Sequence, residues 1–181
     1  MIVKKLKKKF PKIFVWDYLE NYSKNRQKII KIVDKVFKSG NLILSKEVAN
    51  FEKKFSNFTN RTYGVGVNSG TDALLIALLS IGIEKDDEVI TVSNTAVPTV
   101  SAIVSCQAKP IYVDINESDY LINPNLIENK ITKKTKAIIP VNLYGQSANY
   151  DLINKIAKKY NISVIEDCAQ SAGAFYKNKP S

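Results

Sequence analysis

From residue 63 onward, short apolar runs of strand length alternate with stretches whose apolar residues recur every three or four positions. Such alternation leaves few architectures open, because each strand must be followed by a helix that returns the chain for the next parallel strand. The pattern predicts strands over residues 63–67, 88–93, 110–114, 136–143 and 162–166, with helices over 71–80, 97–107, 125–130 and 150–160. Pro124 stands where a first-turn proline is tolerated, and Gly82, Asn116 and Gly145 fall in connections. The expected fold is α/β, a three-layer arrangement with a mostly parallel sheet flanked by helices. Upstream, Ile29, Ile30, Val33, Val36 and Phe37 predict an amphipathic helix over 23–38, with Gly40 just past its end. Val48, Phe51, Phe55 and Phe58 predict a second helix whose apolar stripe packs into a core. No internal repeat, low-complexity tract or linker is visible. The expected division is a basic arm with the first helix over residues 1–40 and an α/β domain over 41–181.

Residue types missing from the chain narrow the chemistry. There is no histidine and there are two cysteines, Cys106 and Cys168, so neither a Cys/His zinc site nor a histidine-based triad can be assembled. No metal is expected. Two distant cysteines without a secretory leader read as free thiols of a reducing compartment, the cytoplasm. No apolar run has the length of a membrane span. The net charge of +10 is concentrated at one end: residues 1–38 hold 12 Lys/Arg against 3 Asp/Glu, and the rest 15 against 14. The cluster from Lys4 to Lys12 lacks the apolar segment of a signal peptide and any aromatic or glycine-rich RNA-binding pattern. It reads as a solvated terminus, with neither nucleic acid nor membrane as a partner.

In open α/β sheets ligands gather beyond the carboxyl ends of the strands. Here those positions are polar: residues 68–72 after the first expected strand, Asn94 and Thr95 after the second, 142–146 after the fourth and 167–170 after the fifth. The segment NSGTDALLIAL is a small-residue turn opening a helix, where free amides and the hydroxyls of Ser69 and Thr71 suit an anion. Ordinary helix capping would use the same residues. In ISVIEDCAQSAGA, Asp167 follows an apolar strand and needs a cation or donors, which a protonated ring nitrogen would provide, and Gln170 can turn toward the same ligand. The competing reading makes Asp167 a cap and Gln170 a surface residue.

Taken in order, SGTDAL, DEVITVSNTAVPTVSAI, AKPIYVDI, TKAIIPVNLYGQ and VIEDCAQSAGA closely resemble the pyridoxal-phosphate-dependent nucleotide-sugar aminotransferases, the DegT/DnrJ/StrS family of fold type I. The resemblance runs from about residue 39 to 179. It implies that Gly70, Thr71 and Asp72 hold the phosphate of pyridoxal phosphate, that Asp167 pairs with the pyridinium nitrogen, and that Gln170 hydrogen-bonds the ring's phenolic oxygen. It also implies a homodimer acting on a nucleotide-linked keto sugar with an amino-acid donor, in surface polysaccharide or glycan synthesis. Two local departures stand out. Ala96 occupies the position where the family usually has a ring-stacking aromatic, and Ser45 replaces a common glycine in LILSKEVANFE. The resemblance further places the Schiff-base lysine beyond residue 181, so no catalytic residue is expected within this chain, and Lys177 and Lys179 match a surface hairpin. The expectation is therefore a cofactor-binding N-terminal part, inactive alone. The alternative is a non-catalytic binding or regulatory protein that keeps the fold.

Overall fold

The computed structural model describes residues 18–180, which fall into two compact units, one ending at Ala49 and one beginning at Asn50. The lysine cluster of residues 4–12 lies outside the described residues.

In the first unit, α1 (Leu19–Lys38) starts four residues earlier than the apolar pattern predicts. It ends where predicted, at Ser39, followed by Gly40 with φ +69°, a left-handed conformation that glycine adopts without a Cβ penalty. Helix α2 (Lys46–Phe58) begins in this unit and continues into the next. Ser45 serves it, its Oγ accepting from the Glu47 amide at 3.3 Å. The residue that replaces the family's glycine is thus a helix cap. The phenylalanine stripe does not meet the expectation of core packing: Phe51 stacks on Phe55 at 5.5 Å and Phe55 meets Phe58 in a tilted contact at 6.2 Å, yet all three are exposed. An amphipathic period shows which face wants cover but does not supply the cover.

The second unit is built on a four-stranded parallel sheet in the order β2-β1-β3-β4, formed by β1 (Glu88–Val92), β2 (Lys109–Val113), β3 (Thr135–Ile139) and β4 (Ser163–Val164). Alternation along the strands divides the core into two. On one side Val89, Ala137 and Ile139 pack with Leu74 and Leu78 of α3 (Gly70–Ser80) and Ala102 and Ile103 of α4 (Val97–Ser105). On the other, Ile90, Val92, Val113 and Ile138 pack with Ile127 of α5 (Pro124–Ile127) and Ile153 and Ala157 of α6 (Tyr150–Tyr160). The central strands β1 and β3, buried on both faces, with helices above and below, make the predicted three layers. A short antiparallel hairpin, β5 (Phe175–Tyr176) and β6 (Lys179–Pro180), follows.

The strand expected over residues 63–67 is not formed. Tyr63 and Val65 are exposed, and the segment joins no ladder among the described residues. Alternation specifies a strand's faces, but a strand exists only beside another extended backbone; here the neighbour is helix α2, whose Glu52 backbone lies against Gly64 and whose Glu52 carboxylate accepts from the Gly66 N–H at 2.7 Å.

Candidate functional site

The four parallel strands place residues 93, 114, 140–146 and 165–170 at one edge of the sheet. Helix α3 turns back within seven residues to the start of β1 at Glu88, and its 11 residues span about 16 Å, close to the length of β1. Its N-terminus therefore reaches that same edge.

Asp167 is buried at this edge, with 8% of its surface exposed. Its backbone continues the sheet by one bridge to Val141, with its N–H donating to Pro140 O at 3.1 Å and its carbonyl accepting from the Asn142 N–H at 2.9 Å. The carboxylate accepts from Thr99 Oγ1 at 2.8 Å on Oδ2 and from the Ala169 amide at 3.2 Å on Oδ1. Each oxygen keeps one further lone pair. The capping interaction anticipated as the alternative is thus present at one oxygen, and it does not use up the group.

Gln170 is exposed, and its Oε1 accepts from the backbone N–H of Tyr144 at 3.1 Å. That bond fixes the amide's sense, since the NH2 end is left to donate. The turn that presents the Tyr144 amide is unusual, with Tyr144 at φ 59° and Gly145 at φ 75°, a left-handed pair that closes the Leu143–Gly145 turn.

At the start of α3, Ser69 Oγ accepts from the Asp72 amide at 3.1 Å and donates to Asp72 Oδ2 at 2.8 Å. Asp72 is therefore spent on the cap: both its amide and its carboxylate face Ser69. The first helical hydrogen bond runs from Ala73 N to Ser69 O, so the amides of Gly70 and Thr71 are not used inside the helix. A Cβ at Gly70 would meet nothing within 4 Å, so the space beside these amides is open. Of the three phosphate-site candidates, Gly70 and Thr71 have free donors and Asp72 acts through the cap. Ala96 is the N-cap residue of α4 and makes no side-chain capping bond.

Three buried polar groups at this edge carry roles that the sequence did not assign them. Asn142 is fully buried, and its Oδ1 accepts from Ala148 N at 2.9 Å and Tyr150 Oη at 3.0 Å, while Nδ2 approaches Cys168 Sγ at 3.4 Å. Thr99 is 1% exposed and touches Thr95 Oγ1 at 2.8 Å as well as Asp167. Thr91 ties β1 to β3 through Ile139 O at 2.9 Å. A signal existed for Thr95 and Thr99, hydroxyls four residues apart at the start of a helix on the ligand edge. Burial pushes the Cys168 thiol up from its ordinary range, so it stands here as a neutral thiol. Among the described residues no group of His, Cys, Asp and Glu could hold a metal ion, and no helix is long and apolar enough to cross a membrane.

This arrangement can hold an anion at the α3 amides and a flat cationic ring against Asp167, and the chain is similar in sequence to several aminotransferases. The dTDP-3-amino-3,4,6-trideoxy-alpha-D-glucose transaminase of Micromonospora megalomicea is 45% identical over 161 residues, covering 89% of this chain and 43% of the relative. The UDP-2-acetamido-2-deoxy-3-oxo-D-glucuronate aminotransferase of Pseudomonas aeruginosa is 44% identical over 165 residues, covering 91% and 46%. The chain spans about half the length of the curated relatives it matches. Among solved structures, S. venezuelae DesV in complex with a ketimine intermediate superposes with a TM-score of 0.91 at 34% identity, over 95% of this chain and 46% of that one. NtdA from Bacillus subtilis, with bound cofactor PMP, gives 0.81 at 37% identity, over 83% and 34%. These neighbours are aminotransferases of fold type I. The profile of the DegT/DnrJ/EryC1/StrS aminotransferase family matches residues 23–181, and the chain belongs to that family.

Proposed function

We propose that this chain supplies the cofactor-binding part of a pyridoxal-phosphate-dependent aminotransferase that forms an amino sugar from a nucleotide-linked keto sugar. The observation that carries the reading is Asp167, a buried carboxylate whose two oxygens are each held by one donor and each retain a lone pair at the ligand edge. Pyridoxal phosphate held there would supply an electron sink for carbanion chemistry. The residues of this chain hold and orient it. The amides of Gly70 and Thr71, with the Thr71 hydroxyl, take the phosphate; Asp72 rigidifies that turn through Ser69. Asp167 stabilises the ring's positive charge, and the free NH2 of Gln170 donates to the phenolic oxygen. Glutamate or glutamine donates the nitrogen, and the product enters surface polysaccharide or glycan synthesis in the cytoplasm. The active unit is a homodimer, and the exposed phenylalanines of α2 suit a face that further protein surface covers.

The lysine that bonds the cofactor lies outside these 181 residues, which divide into a basic arm with the first helix over 1–40 and the cofactor-binding domain over 41–181. The test compares the chain alone with the chain co-expressed with a downstream half carrying a lysine in the family's serine-aromatic-proline-threonine-lysine context. Borohydride reduction with pyridoxal phosphate and peptide mapping should label no single lysine stoichiometrically in the chain alone, and amino transfer should appear only in the completed protein. A single stoichiometric label within residues 1–181 contradicts the assignment, and a completed protein that binds cofactor without transferring nitrogen favours the non-catalytic alternative.

A further inference from the structure

The carboxylate of Asp167 could rotate about χ1 unless something outside its own strand holds it. Its backbone is fixed by Pro140 and Asn142, but neither touches the side chain. The Ala169 amide, two residues on, is a local donor that accompanies any turn at this position. The contact from another element is Thr99 Oγ1 at 2.8 Å, from the first turn of α4, 68 residues away in sequence. A hydroxyl has one proton. Because Thr99 donates its proton to Asp167, its 2.8 Å contact with Thr95 Oγ1 must be one it accepts, so the chain of donors runs from Thr95 to Thr99 to Asp167 Oδ2. Thr99 is 1% exposed, so its bond to Asp167 is shielded from water.

We infer that Thr99, itself oriented by Thr95, is the positioning residue that sets the Asp167 carboxylate and aims its remaining lone pairs toward a cationic ring nitrogen. This rests on the cofactor reading above and goes beyond it in assigning what holds the carboxylate. The directionality matters because a carboxylate free to swing must be ordered when the ring arrives, and that ordering is subtracted from affinity. A donor already in place removes the cost. The same bond would also tie α4 to the strand end if its role were structural only, so the test must separate orientation from stability.

The experiment uses the 181-residue chain and pyridoxamine phosphate, which has no aldehyde to react with surface lysines. Three-bond couplings to the Asp167 carboxyl carbon report χ1 without ligand, and the probe's fluorescence gives its Kd. Thr99→Val keeps the shape and removes the donor. It should average the couplings toward free rotation and raise Kd about tenfold, the scale of one hydrogen bond to a charged group. Thr99→Ser restores the hydroxyl and should return both readouts to wild type, and Thr95→Val should shift both in the same direction by less. Wild-type couplings and Kd in Thr99→Val, or no rescue by serine, overturn the inference. Should Thr99→Val fail to fold, the less buried Thr95→Val decides, its wild-type behaviour counting against the relay. Asp167→Asn separates the two layers of the argument: if it leaves Kd unchanged, or if wild type binds no probe, the cofactor reading falls and the role of Thr99 falls with it.

Discussion

Gln170 has two amide ends, and the fold has already used one of them. With Oε1 on the Tyr144 amide, the side chain meets a ligand as a donor, which suits an oxygen carrying negative charge. A comparable division holds at the start of α3, where Asp72 closes the cap and leaves the two preceding amides outward. Thr71 adds a hydroxyl to them, so Thr71→Ala in the completed enzyme should raise the pyridoxal phosphate concentration needed for half-maximal activity. The loss expected is about 0.5 to 1.5 kcal/mol, with turnover at saturation kept; a cofactor titration measures it. Asp167 could be singled out because a carboxylate directly after an apolar strand is costly without a partner, and Gln170 because its amide, three residues on, can turn toward the same ligand. Thr99 was not, since a threonine in an apolar helix reads as core filling, and its partner is distant in sequence. Asp72 could be placed in the motif but not in its role, because capping and anion binding use the same residue types.

At the scale of elements, the ligand edge is held by Asn142. Its side chain joins the end of β3, the turn leading into α6 and the strand end carrying Asp167, with no exposed surface. Removing it strands the Ala148 amide and the Tyr150 hydroxyl in the interior, so Asn142→Ala should cost about 3 kcal/mol in urea denaturation. Tyr150→Phe removes one bond and should cost about 0.5 to 1.5 kcal/mol at neutral pH. Its effect on pH dependence is separate. Burial, assisted by the Glu166 charge, pushes the Tyr150 phenol well above its ordinary range. Above about pH 10 an unfolded tyrosine loses its proton while the folded one keeps it, so native stability falls as pH rises. Tyr150→Phe should flatten that alkaline limb; an unchanged limb would show that the phenol is not the group responsible. Elements buried by local partners were legible: α6 has the predicted bounds, and β1 and β2 lie within one residue of theirs. Residues 63–67 and the α2 phenylalanines were misread for one shared reason, that their patterns specify a face and not the neighbour that covers it.

Across the whole molecule, separated segments meet at one edge of the sheet, where the proposed cofactor site has Asp167 as its electrostatic centre. The central strands are buried on both faces, and α3 and α4, packed together on one of them, supply a donor turn and a buried hydroxyl to that edge. The most direct measurement is the nitrogen chemical shift of ring-labelled pyridoxamine phosphate bound to this chain, followed across neutral and mildly alkaline pH. A carboxylate paired with the ring nitrogen keeps that nitrogen protonated to higher pH than in free solution, because the opposite charge favours the cation. A protonated shift should persist in the wild-type chain and revert toward the free-solution titration in Asp167→Asn. A ring nitrogen that titrates in the wild-type complex as it does free in water would contradict that pairing.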